Sequence, residues 1–329
     1  MTRVSIRMGL QIPNFTYPGV ATEDLFERIA SIAVTAEESG FDSVWVMDHF
    51  YQLPLLGQPY DEMFECYSLL TAIAARTSRV RLGAMVGGMT YRNPAFLAKT
   101  VTGLDVISKG RAIWGIGAGW FEKEHIEYGY DFGTFTDRFE KLEEGLQIVK
   151  SMFVNDTTTF EGKWFHTTDA LNVPKPVQAG GPPVLIGGSG EKKTLRMVAQ
   201  YADACNVFGE PDTVRRLLGV LDEHCAALGR DPKEICRTRL ATVAVAPTME
   251  AAEDLIAQRF GGVKPSELPA EMRGRLEAMM IYGGPDDVRA KVQELLDAGL
   301  DGIVFNMPNA HDLDAVALAA DTLKPVLMP

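Results

Sequence analysis

PDDVRAKVQELLDAGLDGIVF, residues 285–305, reads as one complete helix–turn–strand unit. Pro285 opens an amphipathic segment, where proline suits the first turn of a helix. The segment gives way to a short apolar, β-branched run over 302–306, the mark of a buried strand. The same alternation runs back to the N-terminus. Strands are expected at 6–12, 43–47, 80–85, 112–116, 184–186, 204–208, 239–246 and 302–306. Helical patterns follow at 21–39, 61–77, 94–108, 134–153, 191–201, 213–228, 249–259 with 285–298, and 311–323. Near-continuous apolar strands between amphipathic helices mean a parallel sheet covered on both faces. Eight such units are the number that closes a (β/α)8 TIM barrel, and 329 residues suit one such domain over 1–329.

Punctuation agrees with these boundaries. Gly40 and Gly110 follow the first and third helices as C-terminal caps, and Asn93-Pro94 opens the third. Two stretches depart from the alternation. Aromatics around Glu161-Gly162 predict a hairpin insertion over 155–169. The Gly-, Pro- and charge-rich run 260–281 predicts an irregular loop with a short helix. The competing architecture is a doubly wound open sheet, whose usual mark is GxGxxG after the first strand. Here that strand ends Ile12-Pro13-Asn14, with no such loop.

Composition removes several functions. A net charge of −12 and a pI near 5.0 oppose non-specific nucleic-acid binding, which needs clustered Lys and Arg. No apolar run approaches the ~18 residues of a membrane span. The first residues read as a strand, not as a signal peptide. Cys66, Cys205, Cys225 and Cys236 form no CxxC pair, so neither a disulfide framework nor a zinc site is indicated. The expectation is a soluble, cytoplasmic protein acting on a small molecule, with no nucleic-acid, membrane or metal partner.

In a TIM barrel the active site lies at the C-terminal ends of the strands. Those ends deliver Asp48-His49-Phe50, then Gly87-Gly88, then Gly117-Ala118-Gly119-Trp120, then Gly187-Gly188-Ser189-Gly190, and last Asn306-Met307. Glycine lets backbone N–H groups approach a ligand closely, and helix N-termini favour anions. The run from Gly187 to Gly190, entering a helix near Glu191, is therefore the best phosphate cradle in the chain, with plain tight turns as the alternative. Gly115, Gly117 and Gly119 alternate along one strand and leave a bare face for a flat ring or for close packing. His49 ends a buried strand beside a carboxylate, and its ordinary pKa suits proton transfer. A structural His capping a carbonyl fits that position equally well. No HExxH or GxSxG appears, so metal and serine-nucleophile chemistry have no support.

The ordered segments GFDSVWVMDHF, LGAMVGGMTYRNPAFLAKT, GRAIWGIGAGWFEKEH, FEGKWF and VLIGGSGEKKTLRMVAQYADACN resemble the bacterial luciferase-like superfamily. They are most similar to its branch using the deazaflavin coenzyme F420. The resemblance implies that His49 is catalytic and that Asp48 contacts the cofactor. It implies a non-proline cis peptide backing the deazaflavin in the Ala84–Gly88 bulge, at Met85–Val86 or one residue earlier, with Met85, Val86, Gly87 and Gly88 contacting the cofactor. Ala118, Gly119, Gly187, Gly188, Ser189 and Gly190 match the segments holding the cofactor's ribityl, phosphate and tail. Lys192, Lys193, Arg196 and Arg92 are further candidates for the anionic tail, each against a reading as solvated charge. A homodimer is also implied.

Departures from the family's glucose-6-phosphate dehydrogenases narrow the substrate. Those enzymes carry Glu where this chain has Trp120, Trp where it has Leu53, and a Lys that is missing from Phe208-Gly209-Glu210-Pro211. Phe50, Tyr51, Tyr91, Trp120, Phe121 and Met307 then predict an apolar substrate pocket. The expected activity is hydride transfer between F420 and an enone, imine, carbonyl or alcohol. The alternative is a monooxygenase using FMN, reduced by a separate reductase, and oxygen. A non-catalytic ligand-binding barrel is the third reading.

Overall fold

The computed structural model describes residues 3–54, 56–259 and 261–328. Eight parallel strands pair in chain order: β1 (Met8–Ile12), β2 (Ser43–Val46), β3 (Arg81–Ala84), β4 (Ala112–Gly117), β5 (Val184–Gly187), β6 (Ala204–Val207), β7 (Cys236–Val245) and β8 (Gly302–Asn306). β8 returns to β1 with Ile303 opposite Met8, and β6 meets β7 with Ala204 opposite Cys236. The sheet therefore closes into the (β/α)8 TIM barrel that the alternation predicts.

Two apolar layers hold it. Inside the barrel, Trp45, Ile113, Leu185 and Val304 form one buried cluster. Trp45 fits because its neighbours are glycines. A Cβ at Gly83 would lie 2.6 Å from the indole, and one at Gly9 would lie 2.8 Å from its Nε1. Outside, Leu10, Val44 and Leu82 of the strands share a continuous layer with Ile29, Ile32 and Leu70 of the helices. Each such side chain contributes about 1.5–3 kcal/mol on full burial. Burial also pushes the thiols of Cys205 and Cys236 up to about 12, which leaves them inert packing groups.

Most boundaries fall within a few residues of the expectation, and the exceptions have physical causes. The second helix begins at Cys66, not near 61, because the Glu65 side chain accepts from Ser68 N and caps it. β7 begins at Cys236, where its first residues pair with β6, although Arg237 and Arg239 break the apolar run. The hairpin forms between Thr157–Glu161 and His166–Leu171, antiparallel as predicted.

Phe260, at the start of the predicted irregular loop, lies outside the described residues. The remainder is more regular than expected, with a helix Ala270–Met279 and a strand Met280–Gly283. That strand continues the sheet beside the second half of β7, Met280 opposite Thr242. No expectation covered the helix Glu122–Tyr128, which follows β4 and stops at Gly129 with φ of 75°. No helix among the described residues is long and apolar enough to cross a membrane.

Candidate active site

The C-terminal ends of the strands surround a cavity of about 780 Å³, within the usual range for a small-molecule or cofactor site. Its walls carry His49, Asp48, the Met85–Gly88 segment, Gly117–Trp120 and the start of the loop after β5.

One side of the cavity is a backbone bulge after β3. The Met85–Val86 peptide is cis, and Gly87-Gly88 pairs with the end of β4, Gly87 opposite Ile116. Gly115 and Gly117 of β4 make room for this bulge, while Gly117 and Gly119 also line the cavity. A Cβ at Gly115 would sit 1.9 Å from the Ala84 carbonyl oxygen, and one at Gly117 3.2 Å from Val86 Cγ2. Gly187 on β5 does the same, with Val86 Cγ1 2.9 Å from its missing Cβ. Of the two uses expected for the bare face, close packing is the one observed at Gly115. Because that contact is to backbone, Gly115→Ala forces a strand shift. We expect a loss of about 1–3 kcal/mol or more in a denaturant melt.

Asp48 holds the bulge to the end of β2. Its Oδ2 accepts from Gly88 N at 3.0 Å, and Arg92 grips both oxygens at 2.6 and 2.8 Å. Arg92 also donates to Glu65 Oε1 at 2.6 Å and lies over the Tyr67 ring, 4.9 Å from its centroid. Burial disfavours the Arg92 charge, but Asp48 outweighs it and drives the guanidinium pKa above its ordinary value. Arg92 is therefore committed within the protein and is not a free cation for a cofactor tail.

His49 is held by a residue the sequence reading did not select. Glu124, on the unexpected helix Glu122–Tyr128, is completely buried. Its Oε2 lies 2.9 Å from His49 Nδ1 and accepts from the Tyr91 hydroxyl at 2.7 Å. Its Oε1 accepts from Phe50 N at 2.6 Å and Tyr51 N at 2.9 Å. Burial opposes the Glu124 charge, but His49 and the donors from Tyr51 and Tyr91 overcome it and hold the carboxyl below its usual range. An ionised carboxylate only accepts, so His49 Nδ1 carries the proton. Nε2 is left as the free ring nitrogen.

The next residue, His125, is equally buried. It bonds Thr90 Oγ1 through Nε2 at 2.7 Å and the Phe121 carbonyl through Nδ1 at 2.9 Å. These bonds fix the helix that carries Glu124. The signal for Glu124 lies in GWFEKEHIEYG, where a short helix ends at glycine. Which of its acids faces inward is set by tertiary packing alone.

At the cavity floor, Gln11 Nε2 donates to the Met85 carbonyl at 3.2 Å, and Asn306 Nδ2 donates to Gln11 Oε1 at 2.7 Å. A carbonyl only accepts, which fixes the orientation of both amides. Asn306 lines the cavity, and its Oδ1 is left buried with no partner among the described residues.

The expected site residues divide clearly. His49, Asp48, Met85, Val86, Gly87, Gly88, Ala118, Gly119, Gly187 and Gly188 line the cavity, with Tyr91 and Trp120 of the apolar group. Six positions lie off its wall. Ser189 turns away, its Oγ accepting from Phe208 N at 2.9 Å, and the Gly190 carbonyl closes the first turn of the helix by accepting from Leu195 N. That helix begins at Thr194, three residues later than expected. Phe50 packs on Tyr91 and Tyr128, and Tyr51 on Tyr128. Phe121 packs on Trp120 and edge-on against the His49 ring without lining the cavity, and Met307 is buried in the outer core.

The tail cations are also partly engaged. Arg196 pairs with Glu143, and Lys193 lies over the Phe135 and Phe139 rings. Arg138, not anticipated, lines the cavity beside Gly119, whose carbonyl it bonds at 3.1 Å.

Comparisons with known proteins agree with the fold. The F420-dependent glucose-6-phosphate dehydrogenase of Kineococcus radiotolerans is 29% identical over 92% of this chain and 93% of its own. That of Rhodococcus erythropolis is 31% identical over 87% of this chain and 88% of its own. Among solved structures, the coenzyme F420-dependent tetrahydromethanopterin reductase from Methanopyrus kandleri superposes with a TM-score of 0.80. It is 20% identical over 98% of this chain and 100% of that one, so it speaks for the fold. The profile of the luciferase-like monooxygenase family matches residues 6–302. The chain belongs to the luciferase-like monooxygenase family, alongside relatives that are F420-dependent oxidoreductases.

Proposed function

We propose that the protein is an F420-dependent oxidoreductase acting on a largely apolar organic alcohol, carbonyl, imine or enone. The observation that carries this reading is the Glu124–His49 pair on the wall of a ligand-sized cavity whose other surfaces are mostly apolar. The residues fit a deazaflavin. Gly117, Gly119, Gly187 and Gly188 line the cavity and would present backbone to it, and the Asn306 carboxamide, whose buried Oδ1 is unpaired, would accept from an N–H of its pyrimidine ring on turning towards the cavity. Arg138 stands on the same side for an anionic group.

When bound, F420 supplies a two-electron hydride donor or acceptor. The protein's share is proton handling and positioning. Glu124 fixes the His49 tautomer, so that Nε2 takes the hydroxyl proton as an alcohol is oxidised, or returns it as a carbonyl is reduced. Asp48 and Arg92 hold the Val86 bulge in place. Trp120 sets its ring edge-on to that of His49, 5.7 Å away, and adds an apolar surface beside the proton-transfer site.

Trp120 and Leu53 line the cavity at the places where the family's sugar-phosphate dehydrogenases carry Glu and Trp, and Phe208, also on its wall, opens the stretch Phe208-Gly209-Glu210-Pro211 that lacks their Lys. That substitution favours an apolar substrate over a sugar phosphate.

The test is a panel of ketones, enones and secondary alcohols with F420 under anaerobic conditions, read by the deazaflavin absorbance. His49→Ala should lower kcat about 10²–10⁴-fold with F420 still bound. Full turnover by that variant removes the proton-transfer role. Product formed only with reduced FMN and oxygen assigns the chain to monooxygenation instead.

A further inference from the structure

A second cavity of about 540 Å³ abuts the first, and Pro54, Leu56, Met280 and Pro308 line both. It is large enough for a ligand group of its own. Its remaining wall comes from Val243 and Ala244 at the end of β7, Leu255 and Ile256 on the helix Met249–Arg259, and the loops after β1 and β8.

The chemistry of that wall is distinctive. Four carboxamides line it, those of Asn14, Gln58, Gln258 and Asn309, and none makes a side-chain hydrogen bond among the described residues. No Asp, Glu, Lys or Arg lines it among the described residues. The one titratable group described there is His311. Burial pushes its pKa down, partly offset by Asp312, and Arg28 nearby lowers it further, so the ring is neutral at physiological pH. A carboxamide donates and accepts, so the chamber satisfies uncharged groups that do both. Its described residues offer no counter-charge to an ion, whose desolvation then goes uncompensated.

Position in the barrel distinguishes the two ligands that a joined pair of cavities can hold. The cofactor's phosphate and tail are anionic. The basic groups near the main cavity, Arg138 and Lys193, stand by the ends of β4 and β5. The second chamber lies across the mouth, by the ends of β7, β8 and β1, and carries no cation among its described residues.

We infer that the second chamber is a substrate subsite for an uncharged, hydrogen-bonding tail, and that the substrate is an elongated neutral molecule with its reacting carbon at His49 and an amide- or hydroxyl-bearing end among Asn14, Gln58, Gln258 and Asn309. Calling the occupant substrate rests on the hydride-transfer reading; the neutral selectivity of the chamber does not. Carboxylate- and ammonium-tailed homologues are excluded by the same wall.

The test uses tail fragments as probes on the full chain, with and without F420: hexanamide, hexanoate and hexylammonium, followed by calorimetry and ligand-observed NMR. Hexanamide should bind at least tenfold tighter than either ion. Asn309→Lys, on a surface loop, should reverse the order of hexanamide and hexanoate. Ala244→Phe fills the chamber and should weaken hexanamide at least tenfold. Because Ala244 is buried, the Asn309 variant decides if this one does not fold. Equal or tighter binding of hexanoate to the wild type overturns the inference, as does an unchanged order in Asn309→Lys. A parallel F420 titration separates the two readings. Failure to bind F420 removes the proposed function, whereas the fragment result judges the chamber by itself.

Discussion

Glu124→Gln is expected to lower kcat about 10²–10⁴-fold while the protein stays folded, since the proposed base, His49, keeps its place but loses its protonation pattern. The amide oxygen of the variant side chain still accepts from Phe50 N and Tyr51 N, as Oε1 does now. The amide nitrogen then faces His49 Nδ1 as a donor. That contact forces the neutral ring to carry its proton on Nε2, the atom that must accept one from an alcohol. The pH profile of kcat shifts with it, which a purely structural loss would not produce. Stability carries a second signature. The Glu124 pKa is lower folded than unfolded, so its contribution is full above the ordinary carboxylate range and is lost as pH falls through the folded value. Melting the wild type from neutral pH to about pH 3 should show a steeper acid decline than the Glu124→Gln variant shows. Parallel acid limbs contradict this account of the buried carboxylate.

Asp48→Ala produces the largest loss of stability among the substitutions considered, about 3–5 kcal/mol. The side chains of Arg92 and Asp48 are only 10% and 1% exposed, so the truncation strands a buried guanidinium with Glu65 as its one remaining acid among the described residues. It also takes the acceptor from Gly88 N, the bond tying the bulge to β2. A melting temperature lower by roughly 4–7 °C follows for a chain of this size. Replacing both partners, Asp48→Leu with Arg92→Met, leaves no unpaired charge and should recover much of the difference. A double variant as unstable as the sum of its singles refutes the ion pair as the cause.

Much of the barrel was legible because its signal is local. The helix–strand unit 285–305 reveals itself through periodicity, and seven further units repeat it. Asp48 and His49 were legible because a TIM barrel presents strand ends to its ligand, and the Met85–Val86 bond came from resemblance to the family. Glu124 was not legible. No expectation covered the charged stretch Glu122, Lys123, Glu124 and Glu127, and only closure of the barrel turns one of them against His49. Position beside a strand end also misled. Phe50, Tyr51 and Met307 lie just beyond lining residues, yet their side chains turn into other packing layers, and Phe121 packs behind Trp120 and His49 without lining the cavity. The Met280–Gly283 strand was hidden for a related reason, since its order comes from β7 beside it and not from its own flanks.

The most direct test of the central claim is a paired equilibrium titration of the wild-type chain with F420 and with FMN, followed by fluorescence. The account predicts that F420 binds at least tenfold more tightly, and that Arg138→Ala weakens F420, through its anionic tail, more than it weakens FMN. FMN binding as tightly as F420, or no binding of F420, contradicts it.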